Sequence, residues 1–302
     1  MRMTGGFDAA VASARRPAVA GSFYPADADE LAGLVDDLLA TARPGDDAVT
    51  ATAAGLAGIL VPHAGLAYSG HVAAVAWRLV ATVAPTTIVM LGTNHRAGWL
   101  RGVGVWDADA WLTPLGAVEV DADLAARIVG LGPPFMVDRA AHRSEHSLEV
   151  QLPFVRRALP GTRIVPLAIS AGRGELAVRA GTRLGALLAE RRAAGIRVCL
   201  AISTDMAHYP PATIATFVTE ELAPVILGSD AAELARQEAE ISGAGLRGMA
   251  CGMCGIEPTV LGLAALRAMG VGPGVRLAAA TSADAGGPRE RTVGYFAAAF
   301  PG

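Results

Sequence analysis

Lysine is absent from this chain, and asparagine occurs once, at Asn94. All 25 basic side chains among its 302 residues are therefore arginine, set against 28 acidic ones for a net charge of −3. No basic run stands out, which leaves a nucleic-acid or anionic-membrane partner without electrostatic support. Cysteine is scarce as well. Cys199, Cys251 and Cys254 cannot build a disulfide framework. A reducing, cytoplasmic setting is expected, where a special cysteine is a ligand or a reactive thiol. Aromatic residues make up 5% and charged residues 18%, against 52% hydrophobic, a balance that rules out disorder for most of the chain.

A clean membrane span is also missing. Mean hydropathy is +0.41, and Ala48–Trp77 carries no charged side chain. Pro62, His63, Gly65, Gly70 and His71 interrupt it, so it reads as a buried strand, a turn and an alanine-rich helix. The N-terminus shows Arg2 but no apolar stretch before Arg15 and Arg16, so no signal peptide is expected.

Residues 1–15 read as a flexible tail and residues 16–302 as one α/β domain. Asp27, Asp29, Asp36 and Asp37 alternate with Leu31, Leu34, Val35, Leu38 and Leu39 at helical spacing, which predicts a surface helix over 26–42. The stretch 43–49 reads as a polar loop. Further helices are predicted over 69–81, 121–131, 146–158, 173–191, 213–227, 230–240 and 256–269. Short apolar runs predict strands at 57–61, 87–91, 164–169 and 198–202, with two more near 275–281 and 292–299. Strands alternating with helices imply a central, mostly parallel or mixed sheet with helices on both faces.

In such sheets ligands bind beyond the carboxyl ends of the strands. There the sequence places its chemically capable residues. His63 follows the first predicted strand, His95 the second, and Asp205, His208 and Tyr209 follow the strand at 198–202. Glu145 and His146 open the predicted helix at 146–158. His71 reads as an ordinary residue of an alanine-rich helix. Three of the four tyrosines, Tyr24, Tyr68 and Tyr209, lie beside these motifs, where a phenol can orient a ligand and wall a pocket. Cys251 and Cys254 form one CxxC pair; a structural zinc site needs a second pair, which the sequence lacks. A soft thiolate joined by two distant imidazoles suits Fe, Cu or Zn.

These stretches resemble the Memo family, whose bacterial members are the B component of the AmmeMemoRadiSam system. The matching segments are Ala20–Pro25, Val61–Gly65 with Tyr68–Gly70, Leu91–His95, Glu145–Glu149 with Gln151–Pro153, Ser203–Asp205 with His208 and Tyr209, and Cys254–Pro258. They occur in the family's order over residues 16–300. The resemblance implies a fold like the catalytic subunit of class III extradiol dioxygenases, with one metal pocket. It puts His63, His95 and Cys254 in the metal-binding positions and Asp205, His208, Glu145 and His146 in catalytic positions around them. It implies one metal ion, Fe(II) first, with Cu or Zn as alternatives, and a radical SAM protein and an AMMECR-type protein as functional neighbours. Tyr24, Tyr68, Asn94 and Tyr209 are the expected substrate contacts, with Tyr24 and Tyr68 at the pocket mouth. Extradiol enzymes hold iron with two histidines and a carboxylate, so a cysteine in the third position argues against ring cleavage itself.

Three functions follow. The first is a mononuclear metal-dependent redox enzyme in which His208, oriented by Asp205, moves protons. The second is a metal-assisted hydrolase with Glu145 or His208 as base. The third is a binding module for a small molecule or peptide on a dioxygenase-like fold. Of the cysteines, Cys254 precedes an apolar helical run, a place where the helix dipole lowers a thiol pKa. Cys199 lies inside a predicted strand and is expected to be inert packing.

Overall fold

The computed structural model describes residues 13–53 and 55–302. In chain order the strands are β1 (Leu56–Val61), β2 (Thr87–Thr93), β3 (Gly102–Val105), β4 (Ala110–Thr113), β5 (Gly116–Glu119), β6 (Phe135–Val137), β7 (Arg163–Ser170), β8 (Val198–Ser203), β9 (Val275–Thr281) and β10 (Gly294–Pro301). The helices are α1 (Ala28–Thr41), α2 (Asp46–Thr52), α3 (Leu66–Val83), α4 (Ala122–Gly130), α5 (Leu152–Ala158), α6 (Glu175–Ala193), α7 (Ala212–Leu227), α8 (Ala231–Gly243) and α9 (Ile256–Ala268).

Eight strands make one mixed sheet in the order β6-β3-β7-β2-β8-β1-β10-β9. The inner four, β7, β2, β8 and β1, run parallel. β3 joins β7 antiparallel on one flank, and β10 joins β1 antiparallel on the other. The inner strands are apolar along their length because both faces are covered. Alternate residues feed two cores: Val89, Leu91, Leu200 and Ile202 pack under α4, α6, α7, α8 and α9, while Ile88, Met90, Cys199 and Ala201 pack under α1, α3 and α5. The expected α/β layering, with helices on both faces, is what the chain forms. Cys199, fully buried, is a packing residue as expected. Among the described residues α3 is the one helix long and apolar enough to cross a membrane. Since 61% of it is buried inside the fold, it has the character of a core helix.

Several expected boundaries shift. Ser13–Arg15 are not a loose tail. Arg15 is 2% exposed, and its guanidinium donates to the carbonyls of His142 (2.7 Å) and Glu145 (2.5 Å) and to Glu149 (2.7 Å). It also lies 4.1 Å over the Trp111 ring. Residues 1–12 of the expected tail lie outside the described residues. The stretch read as a polar loop at 43–49 contains the start of α2, with Asp46 and Asp47 in its first turn. The helix expected over 146–158 begins at Leu152. Ahead of it are two single 3₁₀ turns, Ala140–His142 and Glu149–Gln151. The cause is local: Glu145 and Glu149 turn inward and spend their carboxylates on backbone N–H groups, a competition that stops a helix from starting.

Candidate metal centre

His63 stands two residues past the end of β1. Parallel pairing sets Val61 level with Ser203, so His63 and Asp205 leave the sheet side by side. The His63 backbone N–H donates to Asp205 Oδ1 at 2.7 Å. On the ring, Nδ1 is 3.0 Å from Ser203 Oγ. That hydroxyl already donates its proton to the Ser147 carbonyl at 2.7 Å, so it can only accept from the imidazole. Nδ1 of His63 therefore carries the hydrogen, and Nε2 presents a bare lone pair. Cys254 Sγ lies 3.1 Å from that Nε2.

His95 follows β2 by the same logic. Its Nδ1 meets Glu145 Oε1 at 2.9 Å, and its backbone N–H donates to Glu145 Oε2 at 2.6 Å. A carboxylate cannot donate, so here too Nδ1 holds a hydrogen. Glu145 Oε1 also accepts the backbone N–H groups of His146 and Ser147 at 2.8 and 2.9 Å. Burial pushes Glu145 up, but the His95 hydrogen bond and charge, the Ser147 N–H and His146 outweigh it and hold the carboxyl far below its usual range. A carboxylate so fully engaged is no general base. Glu145 positions His95.

The His146 ring stacks on His95 at 4.6 Å and meets Phe23 at 4.7 Å. The ligand atoms of His63, His95 and His146 lie within 4.8 Å of one another, and so do those of His63, Asp205 and Cys254. His63 belongs to both groups. Of the three expected ligands, His63 is common to both groups, His95 falls in the one with His146, and Cys254 falls in the other with Asp205. Two glycines permit this approach. A Cβ at Gly92 would fall 2.5 Å from Leu148, where the 145–149 loop crosses β2, and one at Gly255 would fall 2.4 Å from Thr204, where the Cys254 turn meets the end of β8.

Charge is scarce inside the cluster. Burial lowers His63 strongly, with His146 and His95 adding to it, and burial pushes His146 and His208 down to about 4. Burial raises Asp205 to about 7, offset in part by the N–H groups of His63 and Ala64. The thiol of Cys254 is pushed up by burial and by Asp205. The expected lowering by the helix dipole does not prevail: α9 begins at Ile256, and the Asp205 backbone N–H reaches the sulfur at 3.4 Å, but burial and the Asp205 carboxyl outweigh both. The Nε2 lone pair of His63, beside the thiol of Cys254 and close to the rings of His95 and His146, belongs to a nitrogen and sulfur donor set of the kind that binds a transition metal. The residues present fit a mononuclear metal.

His208 closes the site. Its Nε2 is 3.8 Å from Asp205 Oδ2, too far for a hydrogen bond. It is buried with no hydrogen-bond partner among the described residues. Tyr209 sits at φ 73°, a backbone conformation that costs a bulky residue about 1–3 kcal/mol and that gathers at functional sites.

The expected substrate contacts divide. Tyr68 is exposed in the first turn of α3, and Tyr209 is exposed beside His208. Tyr24 is not at a pocket mouth. It is 4% exposed, and its hydroxyl donates to Glu149 Oε1 at 2.6 Å. Its neighbour Phe23 is the residue that touches the histidine cluster. The Asn94 amide is used by its own loop: Oδ1 accepts the N–H of Ala97 at 2.7 Å, and Nδ2 donates to the Ala97 carbonyl at 2.8 Å. Ser203, Ser147 and Gln151 were missed as positioning residues. All three lie in segments matched to the family, Glu145–Glu149, Gln151–Pro153 and Ser203–Asp205, but a small or neutral polar side chain does not announce a positioning role. His142, by contrast, lies away from the centre between Trp106 and Trp111.

Residues 15–299 match the family model described as Memo-like protein. A MEMO1 family protein of Aquifex aeolicus is 35% identical over 95% of this chain and 98% of its own length. MEMO1 family proteins of Methanopyrus kandleri and Methanothermobacter thermautotrophicus are each 34% identical, covering 95% and 93% of this chain and 98% of their own lengths. The solved structure of an uncharacterized protein from Escherichia coli K12 superimposes with a TM-score of 0.49 and 17% identity, over 82% of this chain and 100% of the other.

Proposed function

The chain belongs to the Memo-like family, and from that premise we propose that it is a mononuclear metal-dependent redox protein whose metal is held by His63, His95 and Cys254. The observation that carries this reading is the pairing of a lone pair and a thiol. His63 Nε2, fixed as an acceptor by Ser203, points at Cys254 Sγ from 3.1 Å. Two imidazoles and a thiolate suit Fe(II) first, with Cu or Zn as alternatives. Bound iron or copper would supply one-electron chemistry and an open position for a small ligand; zinc would supply only the latter.

The chain's own residues provide the rest. Glu145 and Ser203 fix the tautomers of His95 and His63. Asp205 holds the His63 backbone in place through its N–H. His208, neutral and with its Nε2 unengaged, is the proton-accepting group beside the centre. Phe23 packs on the His146 ring, which stacks on His95, on one side of the cluster. The hydrolase reading loses one of its two bases, since Glu145 is already occupied by four N–H donors.

Cobalt reconstitution tests the reading. The wild-type chain is expected to show a thiolate-to-cobalt charge-transfer band that is absent from Cys254→Ser. A cobalt complex without that band in the wild type removes Cys254 from the ligand set.

A further inference from the structure

Two loops are tied by their backbones to the segment that carries His208. The His208 N–H donates to the Cys251 carbonyl at 3.0 Å, and the Ala250 N–H donates to the His208 carbonyl at 2.9 Å. From the other loop, the Thr292 carbonyl accepts the Tyr209 N–H at 2.6 Å, and the Arg289 carbonyl accepts the Ala212 N–H at 2.8 Å. These loops bring Arg247, Arg289 and Arg291 to one side of His208. Among the described residues none of the three forms an ion pair, whereas Arg139, Arg157, Arg236 and Arg276 each hold a carboxylate.

The guanidinium of Arg291 covers the Tyr209 ring at 4.3 Å. That ring in turn meets the His208 ring edge-on at 5.5 Å. Next to it opens a cavity of about 310 Å³ whose lining includes Arg247, Arg289, Thr213 and Glu290. Gly248 in the same wall lies against the Tyr209 carbonyl: a Cβ there would stand 3.3 Å from that oxygen. Through Gly248 the cavity wall rests against the backbone of the His208–Tyr209 segment, and His208 on that segment comes within 3.8 Å of Asp205. Planar guanidinium groups that form no ion pair among the described residues match the geometry of an oxyanion, though Asp284 feels the charge of Arg289, and the volume suits a small molecule.

We infer that this cavity is an oxyanion site, and that the ligand of the neighbouring centre is a small molecule bearing a phosphate or carboxylate group held by Arg247 and Arg289. The link to the centre rests on the metal reading above; the oxyanion site itself does not. Glu290 opposes the ligand's charge and sets an upper limit on affinity.

The test is calorimetric titration of the full-length protein at low ionic strength with two probes, pyrophosphate and succinate, so that the arm that binds identifies the oxyanion. Binding of either probe is expected to weaken on the order of tenfold in Arg247→Ala and in Arg289→Ala, and to tighten about two- to threefold in Glu290→Gln. All three positions are exposed, so folding is not at risk. Failure of both probes to bind, or binding indifferent to all three substitutions, overturns the inference. Metal content of the same samples reads the other proposal separately: a metal-free wild type that still binds a probe through Arg289 sinks the metal reading and leaves the oxyanion site standing.

Discussion

His63 Nε2 and Cys254 Sγ stand 3.1 Å apart across a sequence separation of 191 residues. No other cysteine reaches the cluster. Cys199 is buried inside β8, and Cys251 falls in neither ligand group. Cys254→Ser is therefore expected to lower metal retention severely, Cys251→Ser to lower it little, and Cys199→Ser to change thermal stability alone. Metal titration of the three variants decides this. Equal losses at Cys251 and Cys254 would indicate a paired-cysteine site instead.

Glu145 and Ser203 orient the imidazoles of His95 and His63, and in the proposed centre they would act on a metal through them. Glu145→Gln replaces an acceptor-only carboxylate with an amide that meets His95 Nδ1–H and three backbone N–H groups with only one accepting oxygen. Ser203→Ala leaves His63 Nδ1–H without an acceptor. Each is expected to weaken metal affinity by about 10–100-fold, read as competition against a chelator. Unchanged affinity in both variants would mean that the tautomers are set by something else.

The acid limb of the stability curve carries the signature of His142. Its Nε2 is 2.9 Å from the Gly104 carbonyl, and its Nδ1 is buried without a partner. Burial pushes it down to about 4 from 6.5. Above 6.5 both folded and unfolded forms are neutral, and this group adds no pH dependence. As pH falls from 6.5 toward 4, the unfolded chain binds a proton that the folded one refuses, so stability drops. One such group contributes a slope of about 1.4 kcal/mol per pH unit. His142→Phe should flatten the denaturation-derived stability profile by that amount across this window. An unchanged slope would show that His142 titrates freely in the fold.

Tyr24 separates a structural role from a ligand contact. Its hydroxyl supports the buried Glu149 carboxylate, which also accepts the N–H groups of Ala18 and Val19 and pairs with Arg15. Tyr24→Phe is expected to cost about 1.5–3 kcal/mol, the contribution of a hydrogen bond to a charged group, with metal content unaltered. Thermal melts and metal analysis on the same preparation check both halves. A stable variant with a weakened centre would return Tyr24 to the pocket.

The sheet and the centre differ in how far the sequence reveals them. The inner strands announce themselves as apolar runs because both faces are covered, and β9 is read at 275–281 without error. β3, β4, β5 and β6 are missed because strands of three or four residues carry no measurable period. His63, His95 and His208 are legible because each follows a strand end, where a parallel sheet leaves room for a ligand. The roles of Glu145, Tyr24 and Asn94 are not, because they depend on which N–H groups happen to face them in three dimensions. Glu145 and Glu149 look alike in sequence, four residues apart. One orients the His95 imidazole and the other anchors the N-terminal segment, a difference created by Arg15 arriving from 134 positions away.

The most direct test is elemental analysis of protein purified without oxygen, wild type beside His63→Ala. His63 is the one residue common to both ligand groups, so its removal takes a donor from every arrangement the centre offers. The expected result is a single metal ion per wild-type chain, iron first, and near-complete loss in the variant with the fold intact by circular dichroism. Wild-type protein without bound metal, or a folded His63→Ala chain that keeps its metal, would contradict the account.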